Sequence, residues 1–211
     1  MKRKSVLLAD DHALLAETIR MAIETHFDVV GIAPNGKAMV EMAHQYRPDV
    51  VIADISMPLL NGIDAVRIVR KELGGTRILI LTMYADAYII EEAFRAGVDG
   101  FITKRSGLDE LLQAVQTVSM GRPYITPLVG EELISVLSAG NFQEGSSDQS
   151  LTLRQRQTLQ LLAEGKTMKE AAAIMSISTR TAESHKYEIM RRLSVNTTAD
   201  LVRYAVRMKL V

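Results

Sequence analysis

Residues 49–58 read Asp49-Val50-Val51-Ile52-Ala53-Asp54-Ile55-Ser56-Met57-Pro58 (DVVIADISMP). Val50 to Ala53 form a short apolar run of the kind that makes a strand buried on both faces, and the chain turns at Met57-Pro58. A carboxylate at the mouth of a buried strand costs free energy unless a cation or hydrogen bonds offset it. Asp54 therefore asks for partners, and the rest of the chain has to supply them.

Working outward, similar runs occur at Ser5–Ala9, Val29–Ala33, Ile78–Leu81 and Gly100–Thr103. Between them, apolar residues recur at helical spacing over Ala13–Thr25, Gly36–Gln45, Ile63–Leu73, Ala87–Ala96 and Leu108–Met120. Gly97, Gly121 and Gly74-Gly75 stand where three of these helices should stop. This alternation predicts an α/β unit with a five-stranded, doubly wound parallel sheet and right-handed crossovers. After Met120 the pattern lapses. Gly121–Pro127 is turn-rich, Leu128–Ala139 reads as one more short helix, and Gly140–Ser150 (GNFQEGSSDQS) has the composition of a flexible linker.

Ligands of open parallel sheets bind beyond the carboxyl ends of the strands. Asp10 and Asp11 follow the first strand, Asp54 the third, Thr82 closes the fourth and Lys104 follows the fifth. Crowded carboxylates repel one another unless a cation neutralises them, and an all-oxygen set suits Mg²⁺ before Ca²⁺. A carboxylate beside a hard cation, with a hydroxyl and a lysine opposite, is equipped to accept a phosphoryl group. Taken singly, Asp10 or Asp11 can equally be a helix N-cap.

Leu7-Leu8-Ala9-Asp10-Asp11, Asp54 through Gly62 (DISMPLLNG), Leu81-Thr82 and Gly100-Phe101-Ile102-Thr103-Lys104 resemble the receiver domain of two-component response regulators, a flavodoxin-like fold, over residues 5–120. The resemblance implies that Asp54 accepts the phosphoryl group from a histidine kinase. It implies that Asp11 and Asp54 ligate Mg²⁺ directly, with the Ser56 backbone carbonyl, while Asp10 acts mainly through water. Thr82 and Phe101 take the family's switch positions. A phosphoryl group adds about −1.5 to −2 charge and three strong acceptors. Drawing Thr82 toward it vacates space that Phe101 fills, which biases a two-state packing. Arg105 stands where many receivers have proline, and the bulky Met83 beside Thr82 is expected to slow access.

The chain has 211 residues, 47% hydrophobic and 24% charged, with no cysteine. Disulfides and thiolate zinc sites are excluded, and a cytoplasmic protein with no membrane partner is expected. The basic start Met1-Lys2-Arg3-Lys4 leads into an apolar run broken by Asp10-Asp11, unlike a signal peptide. The zero net charge hides an asymmetry: residues 1–150 carry −6 and residues 151–211 carry +6. A basic unit of about this size suits a polyanion.

That basic segment shows no strand signal. Helices are expected over Arg154–Glu164, Met168–Met175, Thr179–Leu193 and Thr198–Arg207, with the short turn Ser176-Ile177-Ser178 between the second and third. Ser178 is placed to cap the third. A helical wheel gathers Ala182, His185, Ile189 and Leu193 on a core face, and Arg180, Glu183, Ser184, Tyr187 and Arg191 on the opposite one, with Lys186 at the margin. Such a face is commonly just solvated; in a helix-turn-helix it enters the DNA major groove. There arginine favours guanine or phosphate, Glu183 accepts from a cytosine amine, and Lys186 suits a phosphate.

Thr152-Leu153-Arg154-Gln155-Arg156, Leu162-Ala163-Glu164-Gly165, Lys169-Glu170-Ala171-Ala172, Ile177 through His185 (ISTRTAESH) and Ile189 through Leu193 (IMRRL) resemble the LuxR-type DNA-binding domain, over residues 151–211. Leu153 and Gln155 replace that family's usual Pro and Glu, and Ala182 a more usual valine. A receiver followed by such a domain is the pattern of the NarL/FixJ group of transcription regulators. The implied partners are a cognate histidine kinase, double-stranded promoter DNA, a second copy of the chain on activation, and RNA polymerase as a further candidate. Leu201, Val202, Ala205 and Met208 form a stripe that suits either a dimer surface or the unit's own core. His12, His26, His44 and His185 show no metal-ligand spacing; His185 is assigned to the core or to hydrogen bonding between helices, and the others are taken as incidental. Two rival readings are an aspartyl-nucleophile phosphatase, against which Ser56 stands where a second Asp is wanted, and a DNA binder without phosphorylation control.

Overall fold

The computed structural model describes residues 3–84, 86–127, 129–130 and 151–211. They form two compact units. The first alternates strands and helices: β1 (Ser5–Ala9), α1 (Ala13–Ile23), β2 (Asp28–Ala33), α2 (Gly36–Tyr46), β3 (Val50–Ala53), α3 (Gly62–Glu72), β4 (Arg77–Thr82), α4 (Ala87–Ala96), β5 (Gly100–Thr103), α5 (Leu108–Ser119) and β6 (Tyr124–Ile125).

All six strands are parallel, in the order β2-β1-β3-β4-β5-β6. The expected five-stranded sheet is corrected to six. Tyr124 pairs with Gly100 and Ile125 with Phe101, in a stretch read from sequence as turn. Two residues are too few to show a strand period. The helix expected over Leu128–Ala139 lies, apart from Val129 and Gly130, outside the described residues, and so does the Gly140–Ser150 linker.

Alternation along the strands builds a core on each face. Val6, Leu8, Val50, Ile52, Leu79, Leu81 and Ile102 pack with Ala16, Ile19 and Ile23 of α1 and with Leu111, Ala114, Val115 and Val118 of α5. On the other face α2 packs on β1 and β2 and neighbours α3, which neighbours α4. Asp99, just before β5, fastens the layers. Its carboxylate accepts from the Ile78 N–H at 2.8 Å and from Arg77 at 2.9 Å, and it pairs closely with Arg70 of α3. Burial pushes this carboxyl up, but the Ile78 N–H and then the two arginines outweigh it and hold it below its ordinary 3.8.

The second unit is helical: α6 (Leu153–Ala163), α7 (Met168–Met175), α8 (Thr179–Leu193) and α9 (Thr198–Arg207). Side-chain caps start each one. Thr152 and Thr167 form capping boxes with Gln155 and Glu170, Ser178 accepts from the Thr181 N–H at 3.1 Å, and Thr197 accepts from that of Asp200. Leu159, Leu162, Ile189, Leu201 and Ala205 make its core. The Gln155 departure has a physical reason: its amide donates to Glu188 of α8 at 2.7 Å, where a glutamate would meet like charge. Leu201 and Ala205 of the α9 stripe are buried in this core, while Val202 and Met208 are half-buried. No described helix is long and apolar enough to cross a membrane.

Candidate functional site

Register brings the first unit's acids together. Ala9 pairs with Ala53 across β1 and β3, so Asp10 and Asp54, each one residue further on, leave the sheet side by side. Backbone bonds extend the ladder past the strand ends: the Asp54 N–H donates to Ala9, that of Asp10 to Ala33 and that of Lys104 to Thr82. Behind Asp54 the chain doubles back, and the Gly62 N–H donates to the Ile55 carbonyl at 2.8 Å. A Cβ on Gly62 would lie 1.9 Å from the Asp54 carbonyl oxygen, so only glycine permits this approach.

Asp10 and Asp54 are buried, at 2% and 4% exposure. The Lys104 ammonium sits 2.7 Å from Asp10 Oδ2 and 2.7 Å from Asp54 Oδ2. Asp54 Oδ1 accepts from the Ile55 N–H at 2.7 Å. Burial raises the Asp54 carboxyl above its ordinary value; Lys104 works against this and the Asp10 charge adds to it. For Lys104 burial pulls down, but the bonds from the two acids prevail and the ammonium is raised above 10.5. The lysine therefore stays charged, and it is the cation the strand-end acids require.

Asp11 is more open, with a third of its side chain exposed. Neither reading of it or of Asp10 as the α1 cap by side chain holds at the expected position: His12 is the N-cap residue, and Asp10 Oδ1 accepts its backbone N–H at 2.9 Å. The reading of His12 as incidental is corrected. Its Nδ1 lies 2.9 Å from Asp11 Oδ1 and 3.3 Å from Asp10 Oδ1, and donor atoms of Asp10, Asp11, His12 and Asp54 lie within 4.8 Å of one another. Its position directly after Asp11 was the available signal. His44 likewise has a partner, Glu72 at 2.5 Å. This donor set, rich in carboxylate oxygen and open on one side, fits a hard divalent cation.

Thr82 is fully buried, and its hydroxyl accepts from the Tyr84 N–H at 3.3 Å. Phe101 is fully buried within β5, opposite Ile80 of β4. Ser56 is half-buried in the loop after β3, and Met83 is 53% exposed beside Thr82.

In the second unit the wheel of α8 is borne out. Ala182 and Ile189 are buried and His185 and Leu193 half-buried, whereas Arg180, Glu183, Ser184, Tyr187 and Arg191 are exposed and Lys186 lies between. Ser176, in left-handed conformation at the end of α7, and the Ser178 cap set the turn from α7 into α8.

Comparison with known proteins agrees with both halves. Residues 6–116 match the response regulator receiver domain, and residues 149–205 match the bacterial regulatory proteins of the luxR family. The chain is 36% identical to the transcriptional regulatory protein MctR of Rhizobium johnstonii, over 95% of this chain and 92% of that protein. It is 33% identical to the oxygen regulatory protein NreC of Staphylococcus carnosus, over 98% of each. Among solved structures, RcsB from Salmonella enterica serovar Typhimurium, bound to promoter rprA in the presence of the phosphomimetic BeF3−, is similar with a TM-score of 0.61 and 25% identity, over 96% of this chain and 98% of that one.

Proposed function

The chain belongs to the two-component response regulators that join a receiver to a LuxR-type DNA-binding domain, and we propose that a phosphoryl group on Asp54 sets how tightly it holds promoter DNA. The receiver, expected over residues 1–120, carries on through β6 (Tyr124–Ile125) of its sheet, and the DNA-binding domain occupies residues 151–211. Asp54 supports this reading most strongly: a buried carboxylate, fixed by Ile55 and Lys104, at the open end of a parallel sheet.

In the transfer, an Asp54 carboxylate oxygen forms a bond to phosphorus as the bond from phosphorus to the donor breaks, and the donor's electron pair stays with the kinase histidine. Asp11, Asp54 and the Ser56 carbonyl would hold Mg²⁺, with Asp10 bound to it mainly through water; the ion supplies positive charge beside the phosphoryl oxygens. Lys104 offers a second positive charge there. Thr82 then donates a hydrogen bond from its hydroxyl to a phosphoryl oxygen, and Phe101 repacks into the space released. Beyond taking up this group from a donor and slowly losing it to water, the chain catalyses nothing.

Arg180, Glu183, Ser184, Lys186, Tyr187 and Arg191 make the DNA face, with Glu183 and Ser184 suited to base edges, the arginines to guanine or phosphate and Lys186 to a phosphate. The activated protein pairs with a second copy, because one module reads few bases. Its partners are a histidine kinase and promoter DNA, with RNA polymerase at the promoter, and it works in the cytoplasm. The promoter-bound, BeF3−-treated RcsB complex supports this reading.

The test uses acetyl phosphate and Mg²⁺. Wild-type protein gains one phosphoryl group by intact mass and binds promoter DNA more tightly, and Asp54→Asn does neither. Phosphorylation without any change in DNA affinity overturns the proposal. Steady phosphate release would favour the phosphatase, and no incorporation would favour the uncontrolled DNA binder.

A further inference from the structure

We propose that Gln155 is a positioning residue for DNA reading: its hydrogen bond to Glu188 fixes the roll of α8 about its own axis. The inference rests on taking the outer face of α8 as the DNA face. Gln155 lies in the first turn of α6 and is 1% exposed. Its Oε1 accepts from the Thr152 N–H at 3.0 Å, and its Nε2 donates to Glu188 Oε2 at 2.7 Å. Only one orientation of the amide serves both partners, because turning it over would set Nε2 against an N–H and Oε1 against a carboxylate. The Thr152 hydroxyl in turn accepts from the Gln155 N–H, which completes the capping box. The amide that reaches α8 is therefore itself held in place.

Glu188 receives that amide on the flank of α8. At about 100° per residue it falls between Tyr187 on the outer face and Ile189 in the core. Ile189 packs with Leu159 and Leu162 of α6, and the half-buried Met190 and Leu193 pack against the same cluster. These apolar contacts hold α8 to the core, but they are non-directional and tolerate a small rotation. A hydrogen bond on the flank is directional and lies off the axis, so it opposes roll where the apolar contacts do so weakly.

Roll matters because of where the reading groups stand. Side-chain tips lie roughly 6 Å from a helix axis, so a roll of about 10° carries them about 1 Å sideways. That displacement breaks a hydrogen bond to a base edge, while a flexible lysine or arginine still finds a phosphate. Loss of the tie should therefore lower sequence discrimination before it lowers affinity for DNA in general.

The experiment uses the full-length chain treated with acetyl phosphate and Mg²⁺. Its probes are a duplex that wild type selects from a random-sequence pool and a scrambled duplex of equal length. Gln155→Glu keeps an acceptor for the Thr152 N–H, and so the capping box, but sets a second carboxylate against Glu188. The ratio of selected to scrambled affinity is expected to fall about tenfold, with scrambled affinity changed less than about twofold. The added charge acts on both duplexes alike and cancels in the ratio. The double variant Gln155→Glu/Glu188→Gln rebuilds the bond with donor and acceptor exchanged, at wild-type net charge, and should recover the ratio. Glu188→Ala removes the tie at an exposed position without burying a like charge, so it should fold and still lose discrimination. All are compared at a temperature where circular dichroism shows them folded. An unchanged ratio in Gln155→Glu and Glu188→Ala, even with a lowered melting temperature, overturns the role of Gln155 and leaves the DNA face standing. So does a loss that the double variant fails to rescue. Failure of wild type to select any duplex overturns the DNA face itself.

Discussion

Asp54 and Tyr187 occupy opposite physical settings, at 4% and 68% exposure. Around Asp54 the partners are fixed within hydrogen-bond reach, one lysine serving both buried acids, and strand register determines which groups meet. On the outer face of α8 the groups stand in solvent, placed only by the helix beneath them. Buried chemistry is therefore tied to the fold, and a change that moves the acids also loosens the domain. Exposed chemistry is separable: side chains on α8 can be exchanged for others with little cost to stability, which lets one scaffold read different sequences.

The strongest test of this contrast is Gly62→Ala. The new methyl would press on the Asp54 carbonyl, and relief requires the backbone to move. A loss of about 3 kcal/mol in receiver stability is expected from urea unfolding, together with reduced phosphoryl uptake. A variant with wild-type stability would break the link between acid and fold.

Next is Asp99→Asn, which leaves Arg70 and Arg77 without their carboxylate. It should cost about 2 kcal/mol near neutral pH. The sign of the pH dependence follows from the direction of the shift. The carboxyl is held below 3.8 in the folded chain, so its contribution is present above that pH and is lost as pH falls through the lower folded value. Melting curves of wild type and variant should therefore converge in acid; a gap that persists would assign the loss to packing.

The smallest stability change belongs to Tyr187→Ala. Unfolding should stay within about 0.5 kcal/mol of wild type. Affinity for promoter DNA should nonetheless fall by about 1–3 kcal/mol, read by titration at fixed salt. A fall in stability without one in affinity would return α8 to the status of a solvated surface helix.

Legibility in the sequence divides along the same line. Four-residue strands such as Val50–Ala53, and helices such as Ala87–Ala96 and Thr179–Leu193, announce themselves because period and caps are local properties. The strand-end acids were legible because the parallel fold gathers such positions at one edge. Three features were not. β6 is only two residues long and is defined by its pairing with β5. Asp99 carries no local signal, since Arg70 and Arg77 lie more than twenty positions away and meet it only after folding. His12 was sought among histidine spacings, whereas its neighbours are the two preceding acids, brought round by the turn into α1.

The lysine straddling Asp10 and Asp54 has one more implication. Because an internal ammonium already quiets their repulsion, the domain has no need to borrow charge from solution in order to hold its shape. Treatment with a chelator should leave the melting temperature almost untouched. A divalent ion held there would then be a visitor to the domain rather than a brick of it.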